Sequence, residues 1–211
     1  MRKWYAPVLL TLSLLVSIIA YPSLPERTPV HWNFSGEVNR YGSRFEAAFI
    51  LPVLAFVAWF ALRMLPRVDP LRANYAKFQS TYDLVVNTTV TLLVLMHFAL
   101  IGSALGLPIP LARTFYAIAG AALVVLGNVL PRARRNWWFG IRTPWTLSSD
   151  SVWTKAHRVG GYLFVAAGVV WLAASFVPSG SAAHVIMLAA LVAAAVGSLV
   201  YSYVVWRQEN P

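Results

Sequence analysis

Six long apolar runs constrain this chain more than any other feature: Trp4 to Ala20, Phe45 to Leu65, Asp83 to Gly106, Leu111 to Leu130, Val159 to Val177 and His184 to Trp206. About 20 such residues in a helix match the roughly 30 Å hydrocarbon core of a bilayer. Only a helix or a closed barrel satisfies its backbone polar groups there. The expected fold is therefore all-α, an integral bundle of six transmembrane helices. The composition agrees, with 59% of the 211 residues hydrophobic and 11% charged, against about 45–50% and about 25% in soluble domains. The chain reads as one membrane domain over 1–211. It comprises an N-terminal module (1–65, with an outer loop over 21–44), an inner amphipathic helix with the third span (66–106), and a C-terminal module (107–211). The first run resembles a signal peptide, but Ile18 stands where a cleavage site needs a small residue, so it is read as a retained span.

The positive charges orient the bundle. With both termini cytoplasmic, 13 of the 17 Lys and Arg residues fall inside, and only Arg27, Arg40, Arg44 and Arg113 fall outside. Retention of positive charge on the cytoplasmic side favours this orientation. The formal net charge of +10 is then a topology signal and an attraction to anionic headgroups. It does not indicate direct nucleic-acid binding. Cysteine is absent, which excludes disulfides, thiol nucleophiles and Cys-based metal sites.

Small residues suggest how the helices pack. Ala189, Ala193 and Gly197 repeat along the sixth span, Gly161, Gly168 and Ser175 along the fifth, and Gly120 and Gly127 along the fourth. Small residues let helices approach closely enough to gain contact in lipid. The last two spans are expected to form a tight pair, joined by the fourth.

The outer loop alternates Val30, Trp32 and Phe34 with His31 and Asn33, the period of a short strand. Ser35-Gly36 turns the chain, Glu37 to Tyr41 returns, and Ser43 with Glu46 forms a capping box for the second helix. His31, Trp32, Asn33, Gly36 and Glu37 are candidates for ligand or partner binding. A lone His–carboxylate pair falls short of a zinc site.

On the inner side, Asp69-Pro70 starts a helix on which Leu71, Tyr75, Phe78 and Tyr82 share one face, the pattern of a surface-lying helix. The second inner loop carries Asn136, Gly140, Arg142, Thr143, Pro144, Trp145, Ser148, Trp153, His157 and Arg158, candidates for a partner-binding surface. Tryptophan and arginine suit the interface with lipid. Gly140 permits a turn, and Ser148 or Ser149 caps a helix placing Trp153 and His157 one turn apart. Within the spans, His97 and Asn128 are the polar residues to explain. Pro52 removes a backbone donor from the second helix and is expected to kink it. No phosphate loop, histidine-rich metal motif or nucleophile elbow occurs. No cofactor or enzymatic activity is indicated.

Pro29-Val30-His31-Trp32 with Gly36, Asp69-Pro70 and Tyr75, Gly127-Asn128, Asn136, Gly140-Ile141-Arg142-Thr143-Pro144-Trp145-Thr146-Leu147-Ser148, Trp153 and His157-Arg158 together resemble the SdpI family of bacterial membrane proteins. The resemblance implies a six-helix protein of the bacterial inner membrane. It also implies immunity to, or sensing of, a secreted membrane-active toxin peptide, with relay to a cytoplasmic DNA-binding repressor where one is co-encoded. The alternatives are a small transporter or lipid-handling protein, centred on His97, Asn128 and Pro52, and a membrane enzyme using the arginine-rich inner surface.

Overall fold

The computed structural model describes residues 2–33, 37–177 and 180–210. The elements run α1 (Arg2–Ala20), β1 (Arg27–Trp32), β2 (Val38–Ser43), α2 (Arg44–Val68), α3 (Gln79–Ala104), α4 (Leu111–Val129), α5 (Pro144–Ser148), α6 (Asp150–Ala174) and α7 (Ser181–Glu209). Six of the helices, all but α5, are long and apolar enough to cross a membrane. Trp4, Ile19, Phe56, Phe60, Val185 and Val196 are among many large apolar side chains left exposed on their outer surfaces. Hydrocarbon is the solvent that makes such a surface stable. Six crossings put both termini on one side, here called the terminal face. The β1–β2 side is the hairpin face.

The helices fall into two groups, α1–α2–α3 and α4–α6–α7, joined where α3 packs on α4. The last two helices, α6 and α7, pack extensively and α4 joins them as expected, but the closest backbone approach is between α4 and α6. A Cβ at Gly127 would lie 2.7 Å from Val165 N, and one at Gly168 would lie 2.7 Å from Val124 N. A Cβ at Gly197 of α7 would meet only the Leu163 methyl at 3.2 Å. The glycines of α4 and α6 face each other in register and allow backbone-to-backbone contact, which alanines of α7 cannot match.

Prolines tie α2 to its neighbours. Pro52 cannot donate to the carbonyl four residues back, Ala48 O, and Ser17 Oγ of α1 donates to that oxygen at 2.6 Å. Pro66 leaves Leu62 O without its helical donor in the same way, and Tyr82 Oη of α3 donates to it at 2.6 Å. A polar group freed in hydrocarbon must find a substitute partner. Both substitutes come from other helices.

Two expectations about local structure change. Ser43 Oγ accepts from Glu46 N at 3.2 Å and caps α2, but the Glu46 carboxylate pairs with Arg40 instead of completing a capping box. The expected surface helix after Asp69 is a 3₁₀ segment, Arg72–Lys77, whose aromatic side faces inward. Tyr75, Phe78 and Tyr82 are buried in one cluster with Trp153 and Ala133. Asp69 causes the difference, because its carboxylate accepts from Leu71 N at 2.7 Å and Tyr75 Oη at 2.9 Å, folding the segment under the bundle.

Candidate functional site

On the hairpin face, β1 and β2 pair antiparallel, with Arg27 opposite Ser43 and Trp32 opposite Val38. The register shifts on either side of His31. A bulge re-aims side chains, and here His31 Nδ1 donates to Asn39 Oδ1 at 2.6 Å. His31 is therefore partnered by Asn39, and Glu37 by Asn33. Asn33 N donates to Glu37 O and Glu37 N to Asn33 Oδ1, both at 2.9 Å, while Asn33 Nδ2 donates to Glu37 Oε2 at 3.0 Å. These bonds clamp the two strand ends. Phe34, Ser35 and Gly36 lie outside the described residues.

Below the hairpin lies a cleft of about 670 Å³. Its walls are apolar, from Ile50 and Leu51 of α2, Leu93 and Met96 of α3, and Phe115 of α4. His31, Trp32 and Asn33 line it on the hairpin side together with Asn39, Arg40 and Glu46. Across it, His184 Nδ1 donates to Gly180 O at 3.0 Å, so Nε2 is the nitrogen that accepts from Tyr116 Oη at 2.7 Å. The cleft thus combines a hydrocarbon-like interior with hydrogen-bonding groups at one end. That chemistry suits an amphipathic ligand. Three of the outer-loop candidates, His31, Trp32 and Asn33, meet in it. Asn39, Arg40, Tyr116 and His184 had no local motif to mark them, since Tyr116 and His184 stand 68 positions apart.

On the terminal face the inner loop is a closed hydrogen-bonded knot. Asn136 is fully buried. Its Oδ1 accepts from Trp138 N at 2.9 Å and Phe139 N at 2.7 Å, and its Nδ2 donates to Arg134 O and Phe139 O at 2.8 and 3.0 Å. Tyr75 Oη reaches the same Oδ1 at 3.3 Å, and Trp137 N donates to Asp69 Oδ2 at 2.9 Å. Burial, followed by the Asp69 hydrogen bond, pushes the Tyr75 hydroxyl above its ordinary range, so it remains a proton donor.

Gly140 has φ +110°, and a Cβ there would collide with the His157 ring. Only glycine fits this conformation and this approach. His157 Nδ1 donates to Trp153 O at 2.8 Å and Nε2 accepts from Ile141 N at 3.0 Å, which defines a neutral imidazole. Trp153 stacks on that ring at 3.9 Å and donates from Nε1 to Ala133 O at 2.9 Å. Thr143 and Thr146 form a reciprocal capping box that starts α5 with Pro144 in its first turn, and Trp145 Nε1 donates to Ser202 Oγ of α7 at 2.6 Å. Ser149 rather than Ser148 caps α6. Arg142, Pro144, Ser148 and Arg158 are the candidates that remain exposed.

Within the spans, His97 is fully buried and its Nε2 lies 3.0 Å from Ser17 Oγ. Since that hydroxyl gives its proton to Ala48 O, His97 Nε2 is the donor, and His97 belongs to the proline substitution described above. Asn128 is exposed near the terminal end of α4 and does not meet His97.

Residues 132–202 match the model of the SdpI/YfhL protein family, and residues 8–56 match that of a domain of unknown function, DUF1648. The chain is 27% identical over 203 residues to the immunity protein SdpI of Bacillus subtilis strain 168, covering 96% of this chain and 95% of that protein. The two matched segments contain the whole hairpin and all of the knot except Asp69 and Tyr75. No solved structure matches the chain.

Proposed function

We propose, from the match of residues 132–202 to the SdpI/YfhL family model and the likeness of nearly the whole chain to an immunity protein, that this is a non-enzymatic immunity protein of the bacterial inner membrane whose hairpin-face cleft receives a membrane-active toxin peptide. The carrying observation is the cleft itself, apolar within and edged by His31, Asn33, Arg40 and Tyr116. An amphipathic peptide buries its apolar side against Leu93, Met96 and Phe115, while the hairpin groups bond its polar backbone or side chains. The charge distribution supports a hairpin facing outward, where a secreted peptide arrives. The exposed Arg142, Ser148 and Arg158 form the surface on which a cytoplasmic repressor docks. Since α4 carries both Tyr116 and Gly127, occupation of the cleft is relayed through the α4–α6 pair. A transport role finds less support, because His97 is committed to a structural bond.

The test expresses the full chain in a sensitive bacterial host and challenges it with membrane-active peptides secreted by co-cultured strains. Survival should rise with the protein and fall on Leu93→Trp, which fills the cleft. Benzoylphenylalanine at Met96 should crosslink to the protective peptide. Equal survival with and without the protein across the peptides refutes the proposal.

A further inference from the structure

A second cleft, of about 390 Å³, lies between α4, α6 and α7 and is closed at its terminal end by the loop 139–142. Leu126, Leu130, Phe164 and Leu199 line it, and Ser198 turns its hydroxyl back to Ala194 O at 2.6 Å, leaving that wall apolar. The cleft exists because Ala195 and Gly127 are small where three helices would otherwise fill the space. At its end stands Arg142, exposed, with Nη1 held by Trp137 O at 2.7 Å. Arg142 has no carboxylate partner among the described residues, a state it shares with Arg67 and Arg158 on the same face, but it alone of these lines the cleft.

We infer that this cleft is a binding site for an anionic phospholipid, with one acyl chain between α4, α6 and α7 and the headgroup phosphate on the outer edge of the Arg142 guanidinium. The lipid site shares Arg142 with the proposed repressor surface, but its test involves neither a toxin nor a repressor, so either reading can fail without the other. An apolar cleft set in a bilayer is filled by hydrocarbon, because water would find no partners on its walls. A guanidinium fixed by one backbone carbonyl and lacking a carboxylate presents its remaining donors to a phosphate in fork geometry. Basic pockets between helices on the cytoplasmic side bind anionic headgroups by this combination.

The test is native mass spectrometry of the full chain released from micelles containing phosphatidylglycerol or phosphatidylcholine. The wild type should retain one phosphatidylglycerol in preference to phosphatidylcholine. Arg142→Gln should reduce that preference roughly tenfold, the size of one charge-assisted hydrogen bond, and Arg142→Lys should keep part of it. Ala195→Trp, which fills the cleft and leaves the charge, should lose the bound lipid of either kind. Glycerol phosphate, the headgroup without a chain, should not displace the lipid. Unchanged preference in Arg142→Gln with a native circular-dichroism spectrum overturns the inference, as does retention of the lipid by Ala195→Trp or its displacement by glycerol phosphate.

Discussion

Replacing Ser17 with Ala tests the role of the prolines directly. The hydroxyl donates to Ala48 O at 2.6 Å and accepts from His97 Nε2 at 3.0 Å, so its removal strands the carbonyl and takes one partner from the His97 ring, both between helices. Stranding a buried group costs about 1–3 kcal/mol in proteins generally. Interhelical hydrogen bonds in membranes average about 0.6 kcal/mol with a maximum near 1.7. Two hydrogen bonds are lost at once, so Ser17→Ala should destabilise by about 1–3 kcal/mol. Pro52→Ala restores the N–H that Ala48 O lacks. In the Ser17→Ala background that change recovers one of the two lost bonds, whereas in the wild type it adds a donor to an oxygen already served. The double-mutant cycle should therefore show a coupling of about 0.5–1.5 kcal/mol in the stabilising direction. Reversible unfolding in mixed dodecyl maltoside and dodecyl sulfate micelles, followed by far-ultraviolet circular dichroism, measures all four proteins. Simple additivity of the two changes would refute the idea that Ser17 substitutes for the missing proline donor.

Tyr82→Phe should cost about 1–2 kcal/mol in the same assay, since Leu62 O loses its donor at 2.6 Å, and Pro66→Ala should partly restore it. Gly168→Leu should cost more than about 3 kcal/mol or abolish folding, because its Cβ would press on the backbone of α4 at 2.7 Å, while Gly197→Ala should change the midpoint little. Gly140→Ala should perturb the near-ultraviolet tryptophan spectrum and leave helix content nearly intact, because it displaces His157 from beneath Trp153. Accessibility labelling of single cysteines at Pro29 and Trp145 should report opposite sides of the bilayer. Labelling of both from one side would refute the six-crossing topology on which the two faces were assigned.

The spans were legible because hydrocarbon imposes length and apolarity on every one of them. The alternation at Val30 and Trp32 marked the second half of β1, which begins earlier, at Arg27, while Phe34 lies outside the described residues; Gly140 declared a left-handed turn. Local pattern failed where the partner lay far along the chain. Tyr75, Phe78 and Tyr82 share a face whether lipid or protein covers it, and only Asp69 reaching Trp137 N decides between them. The seven-residue glycine spacing occurs in both α4 and α6, but their facing register is a tertiary fact. Tyr116 and His184 meet across the bundle with no motif at either position. His97 drew notice as a polar residue at depth, and its explanation required seeing that Pro52 frees the carbonyl of Ala48.

The two internal prolines also bear on biogenesis. As α2 leaves the ribosome, Ala48 O and Leu62 O each lack the donor four residues on, and their own helix offers no substitute. Ser17 has already been synthesised and can serve the first at once, but Tyr82 follows 20 residues after Leu62. The second helix therefore completes its hydrogen bonding only once the third has emerged, which ties the maturation of the first three spans together.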